Sequence, residues 1–201
     1  MTIAWVFPGQ GSQKVGMAES LLSLPGARER FQFASELLDR DLLEICRKND
    51  HQDKNLGDLN DTRNTQPAMF VVESLLVDDL RRQGRTASLI AGHSLGEIVA
   101  LYAAEVFNAE TAMRLLKKRS ELMASVGGGA MTAVIGFDRQ ELEERVRTTE
   151  GVVIANDNSD AQVVLSGTPE AVQELSKALT CKRAIPLQVS GAFHSPFMQK
   201  A

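Results

Sequence analysis

The pentapeptide Gly92-His93-Ser94-Leu95-Gly96 has the spacing of a serine nucleophile held at a sharp turn between a strand and a helix. An apolar run over residues 88–91 precedes it, and an apolar stretch with helical character, residues 95–106, follows. Glycine on both sides removes the Cβ atoms that would clash in such a turn. The free N–H groups at the start of the following helix can stabilise the oxyanion formed when Ser94 attacks. We interpret the pentapeptide as a nucleophile elbow; the alternative is a purely structural turn.

A nucleophilic serine needs a base, and the chain contains three histidines, His51, His93 and His194. His51 lies in a polar stretch and fits a surface position. His93 adjoins Ser94 but is expected to point away from it in an extended turn. His194 follows the last predicted strand, within the segment Gly191-Ala192-Phe193-His194-Ser195. It is therefore the favoured base, and a structural histidine is the alternative.

A second glycine-rich turn, Phe7-Pro8-Gly9-Gln10-Gly11-Ser12-Gln13, directly follows the first predicted strand. It lacks the lysine and the full spacing of a phosphate-binding loop. In a parallel sheet, the loops that follow adjacent strands meet at the same edge. This turn can therefore face Ser94 and supply a backbone N–H group to an oxyanion hole.

Arg119 is a cation that the helical pattern turns inward. The predicted buried stripe of the helix over residues 111–126 consists of Leu115, Leu116, Leu122 and Met123. Arg119 falls between the two halves of this stripe at i+3 or i+4 spacing, so it is expected to point inward with them. An inward guanidinium needs an anionic partner, and its planar fork suits a carboxylate. The alternative is a solvated cation on an amphipathic face.

The elements that must position these residues form an α/β pattern. Strands are predicted over residues 3–7 and 88–91, both of them buried, and helices over 27–38, 42–47, 65–84, 95–106 and 111–126, with a solvated loop over 48–64. Thr65 is expected to cap the third helix, with Pro67 in its first turn. A β-α-β-α order of this kind implies a parallel sheet covered by helices.

After Gly127-Gly128-Gly129 the pattern becomes that of a smaller subdomain. Its predicted elements are strands over 130–135, 152–155, 162–165 and 183–189 and helices over 138–148 and 169–179. The order β-α-β-β-α-β is typical of a ferredoxin-like α+β fold. We therefore predict three segments: an α/β body over 1–126, the subdomain over 127–190, and a return to the body over 191–201.

Composition limits the function classes. The 201 residues carry 22 Lys and Arg against 26 Asp and Glu, a net charge of −4, which argues against a general nucleic-acid or anionic-membrane binder. No apolar run approaches a membrane span, and the N-terminus lacks the pattern of a secretory signal. The two cysteines have no metal spacing, and with three histidines a zinc site is not expected. We expect a cytoplasmic protein in a reducing compartment.

Four motifs resemble the malonyl-CoA:acyl carrier protein transacylases, and they occur in the order and at the spacing of that family. They are the turn over residues 7–13, Thr65-Gln66-Pro67-Ala68, Gly92-His93-Ser94-Leu95-Gly96-Glu97 and Gly191-Ala192-Phe193-His194-Ser195. The resemblance covers the whole chain. It implies an α/β-hydrolase-like parallel-sheet body with an inserted ferredoxin-like subdomain.

The resemblance also implies the role of each site residue. Ser94 would be the nucleophile, His194 the base, and the backbone N–H groups of Gln10 and Leu95 the oxyanion hole. Arg119 would hold the malonyl carboxylate. The substrate would be malonyl-CoA, the partner acyl carrier protein through its phosphopantetheine thiol, and no metal or bound cofactor would be required.

Three other functions stay open: the acyltransferase domain of a polyketide or fatty-acid synthase, a serine esterase, and a non-catalytic fragment that binds only coenzyme A or carrier protein. The start at Met1, directly before the first strand, argues against the synthase domain. An esterase would need an acidic triad member and has no use for Arg119. Members of the family are longer, so we expect this chain to lack the C-terminal third, which carries further body strands and the group that orients His194.

Overall fold

The computed structural model describes residues 2–47, 57–189 and 191–201. The chain divides into two compact units, Met1–Ser120 and Glu121–Ala201. The stretch that contains His51 lies outside the described residues, so its predicted surface position stays a prediction. The three segments predicted from the sequence, 1–126, 127–190 and 191–201, also stay predictions.

Among its described residues, the first unit combines two strands with five α-helices, the last of which continues into the second unit. The strands are β1 (Ala4–Phe7) and β2 (Leu89–Gly92), and the helices are α1 (Ala27–Leu38), α2 (Leu42–Arg47), α3 (Thr62–Arg82), α4 (Leu95–Ala103) and α5 (Ala109–Ser125). A short 3₁₀ helix, Glu19–Leu21, precedes α1. The apolar core of this unit lies among the helices and includes Phe31, Phe70 and Leu95.

The sheet of the first unit is parallel, as predicted, but its strands are not buried. β1 and β2 pair so that Ala4 lies opposite Leu89 and Phe7 opposite Gly92. Val6 is 71% exposed and Leu89 64% exposed, so the prediction of two buried strands was wrong. In the part of the chain that the structure describes, this sheet has two strands, too few to be covered on both faces.

Helix α3 begins three residues before the predicted cap. Asp61 is the N-cap residue, and its side chain accepts a hydrogen bond from the backbone N–H of Arg63. Pro67 therefore lies inside the helix, where it cannot donate to the carbonyl group of Arg63. That carbonyl instead accepts a hydrogen bond from Nη2 of Arg40 at 3.0 Å. A side chain from outside the helix thus satisfies the acceptor that the proline leaves unpaired.

The second unit is a four-stranded antiparallel sheet with two helices. Its elements are β3 (Ala130–Phe137), α6 (Arg139–Thr148), β4 (Val152–Ser159), β5 (Gln162–Gly167), α7 (Pro169–Ala178) and β6 (Cys181–Pro186), followed by a 3₁₀ helix over Pro196–Lys200. The strand order β4-β5-β3-β6 is that of a ferredoxin-like fold. β6 begins two residues before its predicted start. The predicted fold class, a parallel α/β body with a ferredoxin-like subdomain, is confirmed.

Both faces of this second sheet are packed. Val134, Val163 and Leu165 point to one face, where they join Leu142 of α6 and Leu175 of α7 in one cluster. On the other face, Met131, Ala133 and Val164 form a smaller cluster with Phe193.

Among the described residues, no helix combines the length and the apolar character that a membrane crossing requires.

Candidate active site

The loops after β1 and β2 lie against each other at the carboxyl edge of the parallel sheet. The backbone N–H of His93 donates to the carbonyl oxygen of Phe7 at 2.9 Å, which continues the strand pairing into the loops. A Cβ atom on Gly96 would overlap the backbone of Phe7 and Pro8. Glycine at position 96 therefore permits the close approach of the two loops. We call the loop after β1, residues 8–13, the Gln10 loop; it lies beside the turn at Ser94.

Ser94 occupies a strained turn directly before α4. Its φ of 53° and ψ of −106° place it in a region that side-chain-bearing residues seldom adopt. A Cβ atom on Gly92 would overlap the backbone of Gly96 and Glu97, so this turn also requires glycine before the serine. The backbone N–H of Leu95, in the first turn of α4, has no acceptor within its own helix. The turn thus has the strained backbone expected of a nucleophile elbow, and the Leu95 N–H at its end has no acceptor within α4.

The Arg119 side chain reaches the Ser94 hydroxyl. Its Nη2 donates to Oγ of Ser94 at 3.2 Å, and its Nη1 donates to Oε1 of Gln66 at 2.5 Å. Burial lowers the pKa of the Arg119 guanidinium, and the charge of Glu97 opposes that shift. An arginine with a lowered pKa still carries its charge at neutral pH. The site therefore holds a half-buried cation in direct contact with the candidate nucleophile.

The face of α5 that is buried differs in part from the predicted stripe. The buried residues of this helix are Ala112, Met113, Leu116 and Ser120. Leu115 is 43% exposed, so its place in the predicted stripe was wrong. Ser120 rather than a leucine continues the buried row, because its hydroxyl donates to the carbonyl group of Lys117 within the helix.

Two polar residues near the start of α3 belong to the site, and the sequence reasoning missed their role. Thr62 is 4% exposed and Gln66 fully buried. Nε2 of Gln66 donates to Oγ1 of Thr62 at 2.8 Å, and that hydroxyl donates to Oε1 of Gln10 at 2.9 Å. Gln66 lies in one of the four matched motifs, where we assigned that motif only to the start of a helix. A glutamine at the border between a polar stretch and the apolar run that begins at Pro67 was the available signal.

The Gln10 loop has a second side-chain contact with the segment before α3. Nε2 of Gln13 donates to Oδ1 of Asn60 at 2.9 Å. Within the loop, Oε1 of Gln13 accepts from the backbone N–H of Gly11 at 2.7 Å. The contacts of Gln10 with Thr62 and of Gln13 with Asn60 therefore hold this loop at two points.

His194 lies in the second unit, on a turn that packing and hydrogen bonds define. Its φ of 56° is in the left-handed region, and its side chain is exposed. The preceding Phe193 is 5% exposed and anchors the turn in the small cluster on the sheet. Oγ of Ser195 donates to the carbonyl oxygen of Ala192 at 2.6 Å and closes the turn behind the histidine.

The exposed His93 side chain lies beside the Gln10 loop: a Cβ atom on Gly9 would be 3.0 Å from its Nδ1.

Over residues 2–47, 57–189 and 191–201, no three His, Cys, Asp or Glu side chains come together as a metal site would need. The site therefore offers a hydroxyl, backbone N–H groups and a guanidinium, which are the parts of acyl-transfer chemistry at a serine.

Comparison with known proteins supports the same class. The acyl transferase domain family matches residues 4–201 of this chain. A malonyl CoA-acyl carrier protein transacylase from Synechocystis is 48% identical over 98% of this chain and 66% of that relative. The crystal structure of the Synechocystis malonyl-CoA:ACP transacylase superposes with a TM-score of 0.92 at 48% identity, over 99% of this chain and 66% of that one.

A second similar structure contains a partner. It is a type II polyketide acyl-carrier protein in complex with its malonyl-transacylase, which superposes with a TM-score of 0.88 at 36% identity and covers 100% of this chain and 67% of that one. The chain belongs to the acyl transferase domain family. It spans about two thirds of the length of these relatives, 66% for the Synechocystis protein.

Proposed function

We propose that the protein transfers a malonyl group from malonyl-CoA to the phosphopantetheine thiol of acyl carrier protein, through a malonyl ester on Ser94. Relatives that share 48% and 36% of its residues act, by their names, as malonyl transacylases. One of them is named in complex with its acyl-carrier protein. No metal and no bound cofactor take part in this proposal.

The observation that carries the choice of acyl group is the contact between Arg119 and Ser94. A guanidinium 3.2 Å from a nucleophilic hydroxyl lies where the distal end of a short acyl group would be held. A malonyl group ends in a carboxylate, which accepts two parallel hydrogen bonds from a guanidinium fork. An acetyl group has no such end. Arg119 therefore favours an acyl donor with a free carboxylate.

The first half of the reaction forms the acyl-enzyme. Oγ of Ser94 attacks the thioester carbonyl of malonyl-CoA while His194 takes the hydroxyl proton. The backbone N–H groups of Gln10 and Leu95 stabilise the negative charge on the carbonyl oxygen. The C–S bond then breaks, and the proton on His194 passes to the coenzyme A sulfur. Malonyl-serine and free coenzyme A are the products.

The second half repeats the same steps with a different nucleophile. His194 takes the proton from the phosphopantetheine thiol of the carrier protein, and the sulfur attacks the serine ester. Collapse of the second tetrahedral intermediate breaks the C–O bond, and the proton returns from His194 to Oγ of Ser94. A cytoplasmic location is part of the proposal, since the free thiols of Cys46 and Cys181 suit a reducing compartment.

Mass spectrometry of the purified protein after mixing with malonyl-CoA tests this function. We expect a malonyl adduct that peptide mapping places on Ser94 and that acyl carrier protein removes. Burial raises the pKa of the Cys46 thiol to about 12, so this cysteine does not compete for the acyl group. Rapid release of free malonate without a carrier would instead identify an esterase. Absence of any adduct would identify a non-catalytic chain.

A further inference from the structure

We propose that Thr62 is a positioning residue of this site, which couples the Gln10 loop to the carboxylate-binding Arg119 through Gln66. The proposal rests on the proposed acyl transfer for the meaning of the two ends that it connects. The connection itself consists of three successive side-chain hydrogen bonds, which join Arg119 to Gln66, Gln66 to Thr62 and Thr62 to Gln10.

Arg119 fixes which atom donates and which accepts in each of these three hydrogen bonds. A guanidinium only donates, so the atom of Gln66 that faces Arg119 is its oxygen. The other end of that amide is then the NH₂ group, which donates to the Thr62 hydroxyl. The hydroxyl uses its own proton toward Oε1 of Gln10, which fixes the orientation of the Gln10 amide as well. Thr62 is the one member that accepts on one side and donates on the other through a single oxygen.

Burial makes each of these bonds expensive to lose. Thr62 is 4% exposed and Gln66 fully buried, so water does not readily replace a missing partner. Gln10, by contrast, is half-buried and sits in a loop. Asn60 holds the same loop through Gln13. Asn60 and Thr62 are thus the two side chains that hold the Gln10 loop in place by hydrogen bonds.

Loss of the Thr62 hydroxyl should have two separable consequences. The Gln10 side chain loses its donor, so the Gln10 backbone N–H is held less well for the oxyanion. The Gln66 amide loses the Thr62 acceptor, so Gln66 fixes the guanidinium of Arg119 less well. The first change slows transfer of any acyl group, and the second reduces the preference for a malonyl over an acetyl group.

The test compares Thr62→Val with Thr62→Ser in the purified protein. We expect Thr62→Val to slow malonyl loading on Ser94 by about 10-fold and acetyl loading by less, since one buried and one partly buried hydrogen bond are lost. Thr62→Ser keeps the hydroxyl and should restore both the rate and the malonyl preference. Thr65→Val is the matched control, because Thr65 is buried as well, but its hydroxyl donates to the backbone carbonyl oxygens of Leu59 and Asp61 rather than to Gln10. It should lower thermal stability without changing the malonyl preference.

Two further measurements keep the outcome decisive if Thr62→Val folds poorly or if no malonyl ester forms. Gln10→Met removes the acceptor at the half-exposed end and should slow malonyl and acetyl loading alike. The rate at which phenylmethylsulfonyl fluoride labels Ser94 reports the geometry of the site without malonyl-CoA, and Thr62→Val should lower it relative to Thr65→Val. A slowed sulfonylation in a protein that takes no malonyl group would overturn the transfer reaction but support the positioning role. Equal behaviour of Thr62→Val and Thr65→Val in loading and in sulfonylation would overturn the positioning role.

Discussion

The two sheets of this chain are stabilised in different ways, and each carries a different part of the proposed chemistry. The parallel pair β1–β2 leaves Val6 71% exposed, and its importance lies at one edge, where two loops touch. The antiparallel sheet of the second unit is packed on both faces and carries His194 on an exposed turn. In the first unit, hydrogen bonds and glycine contacts define the site. In the second unit, the buried Phe193 positions the exposed side chain of His194.

The proposed nucleophile lies in the first unit, and Ser94→Ala tests that proposal most severely. The change removes Oγ but keeps Cβ in the strained turn, so the fold should be retained while acyl-enzyme formation is lost completely. Intact-mass measurement after mixing with malonyl-CoA, together with circular dichroism, reads both effects. Ser12→Ala changes an exposed serine in the neighbouring loop and should load normally. Adduct at the wild-type level in Ser94→Ala would refute the assignment.

His194→Ala tests the one contribution to the chemistry assigned to the second unit. Loss of a general base lowers rates by about 10²–10⁴, and we expect a decrease of that size in the rate of Ser94 acylation. The melting temperature should change little, because the side chain is exposed and Phe193 holds the turn. His93→Ala is the control, since that histidine adjoins the nucleophile in sequence. A larger loss for His93→Ala would mean that the base has been assigned to the wrong unit.

Arg119→Ala separates recognition of the acyl group from the chemical step. Hydrogen bonds to a charged group contribute about 1.5–3 kcal/mol, so malonyl transfer should fall roughly 10- to 150-fold. Acetyl transfer should stay constant or increase, because an acetyl group has no carboxylate to bind. The exposed Lys118, next to Arg119 on the same helix, gives the control variant Lys118→Ala. Parallel losses with malonyl-CoA and acetyl-CoA would indicate that Arg119 is structural.

Local patterns in the sequence were sufficient for most of the fold. Helices α1 and α2 have the predicted bounds, and the ferredoxin-like order of the second unit follows from its strand and helix alternation. The start of α3 was misplaced because the Thr65-Gln66-Pro67 motif resembles a helix start. The true cap, Asp61, is a single polar residue in a polar loop. The side chain of Arg40, which donates to the Arg63 carbonyl that Pro67 leaves unpaired, is 23 residues from Arg63 in the chain, so no local pattern contains it.

The site was predicted in part for the same reason. The Ser94 elbow is a local feature of glycines around one serine, and its strained backbone follows from that spacing. The inward direction of Arg119 followed from helical periodicity, although its contact with Ser94 joins residues 25 apart. The roles of Thr62 and Gln66 depend on partners from a different loop and a different helix, 52 and 53 residues away. Such pairings become visible only when the chain is folded.

The last effect concerns stability rather than activity, and it again distinguishes the two units. Glu73 of α3 is 8% exposed, and its Oε2 has no hydrogen-bond partner among the described residues. Burial raises the pKa of this carboxyl group from 4.5 to about 8. The buried polar side chains described in the second unit are Thr132 and Ser166, neither of which ionises near neutral pH. A pH-dependent loss of stability from a buried acid is therefore expected in the first unit.

Between pH 4.5 and about 8 the folded chain keeps a proton on Glu73 that the unfolded chain has released. Because the unfolded state binds fewer protons there, the free energy of unfolding decreases as the pH rises, by at most about 1.4 kcal/mol per pH unit. Above that range both states are ionised and the decrease ends. Glu73→Gln has no proton to lose, so its stability advantage over the wild type should grow from pH 5 to pH 8 in urea unfolding. Glu29→Gln makes the same substitution at an exposed position of α1 and should show no such growth. If the curves of Glu73→Gln and the wild type stay parallel across this range, Glu73 is already ionised in the folded protein and a compensating group lies beside it.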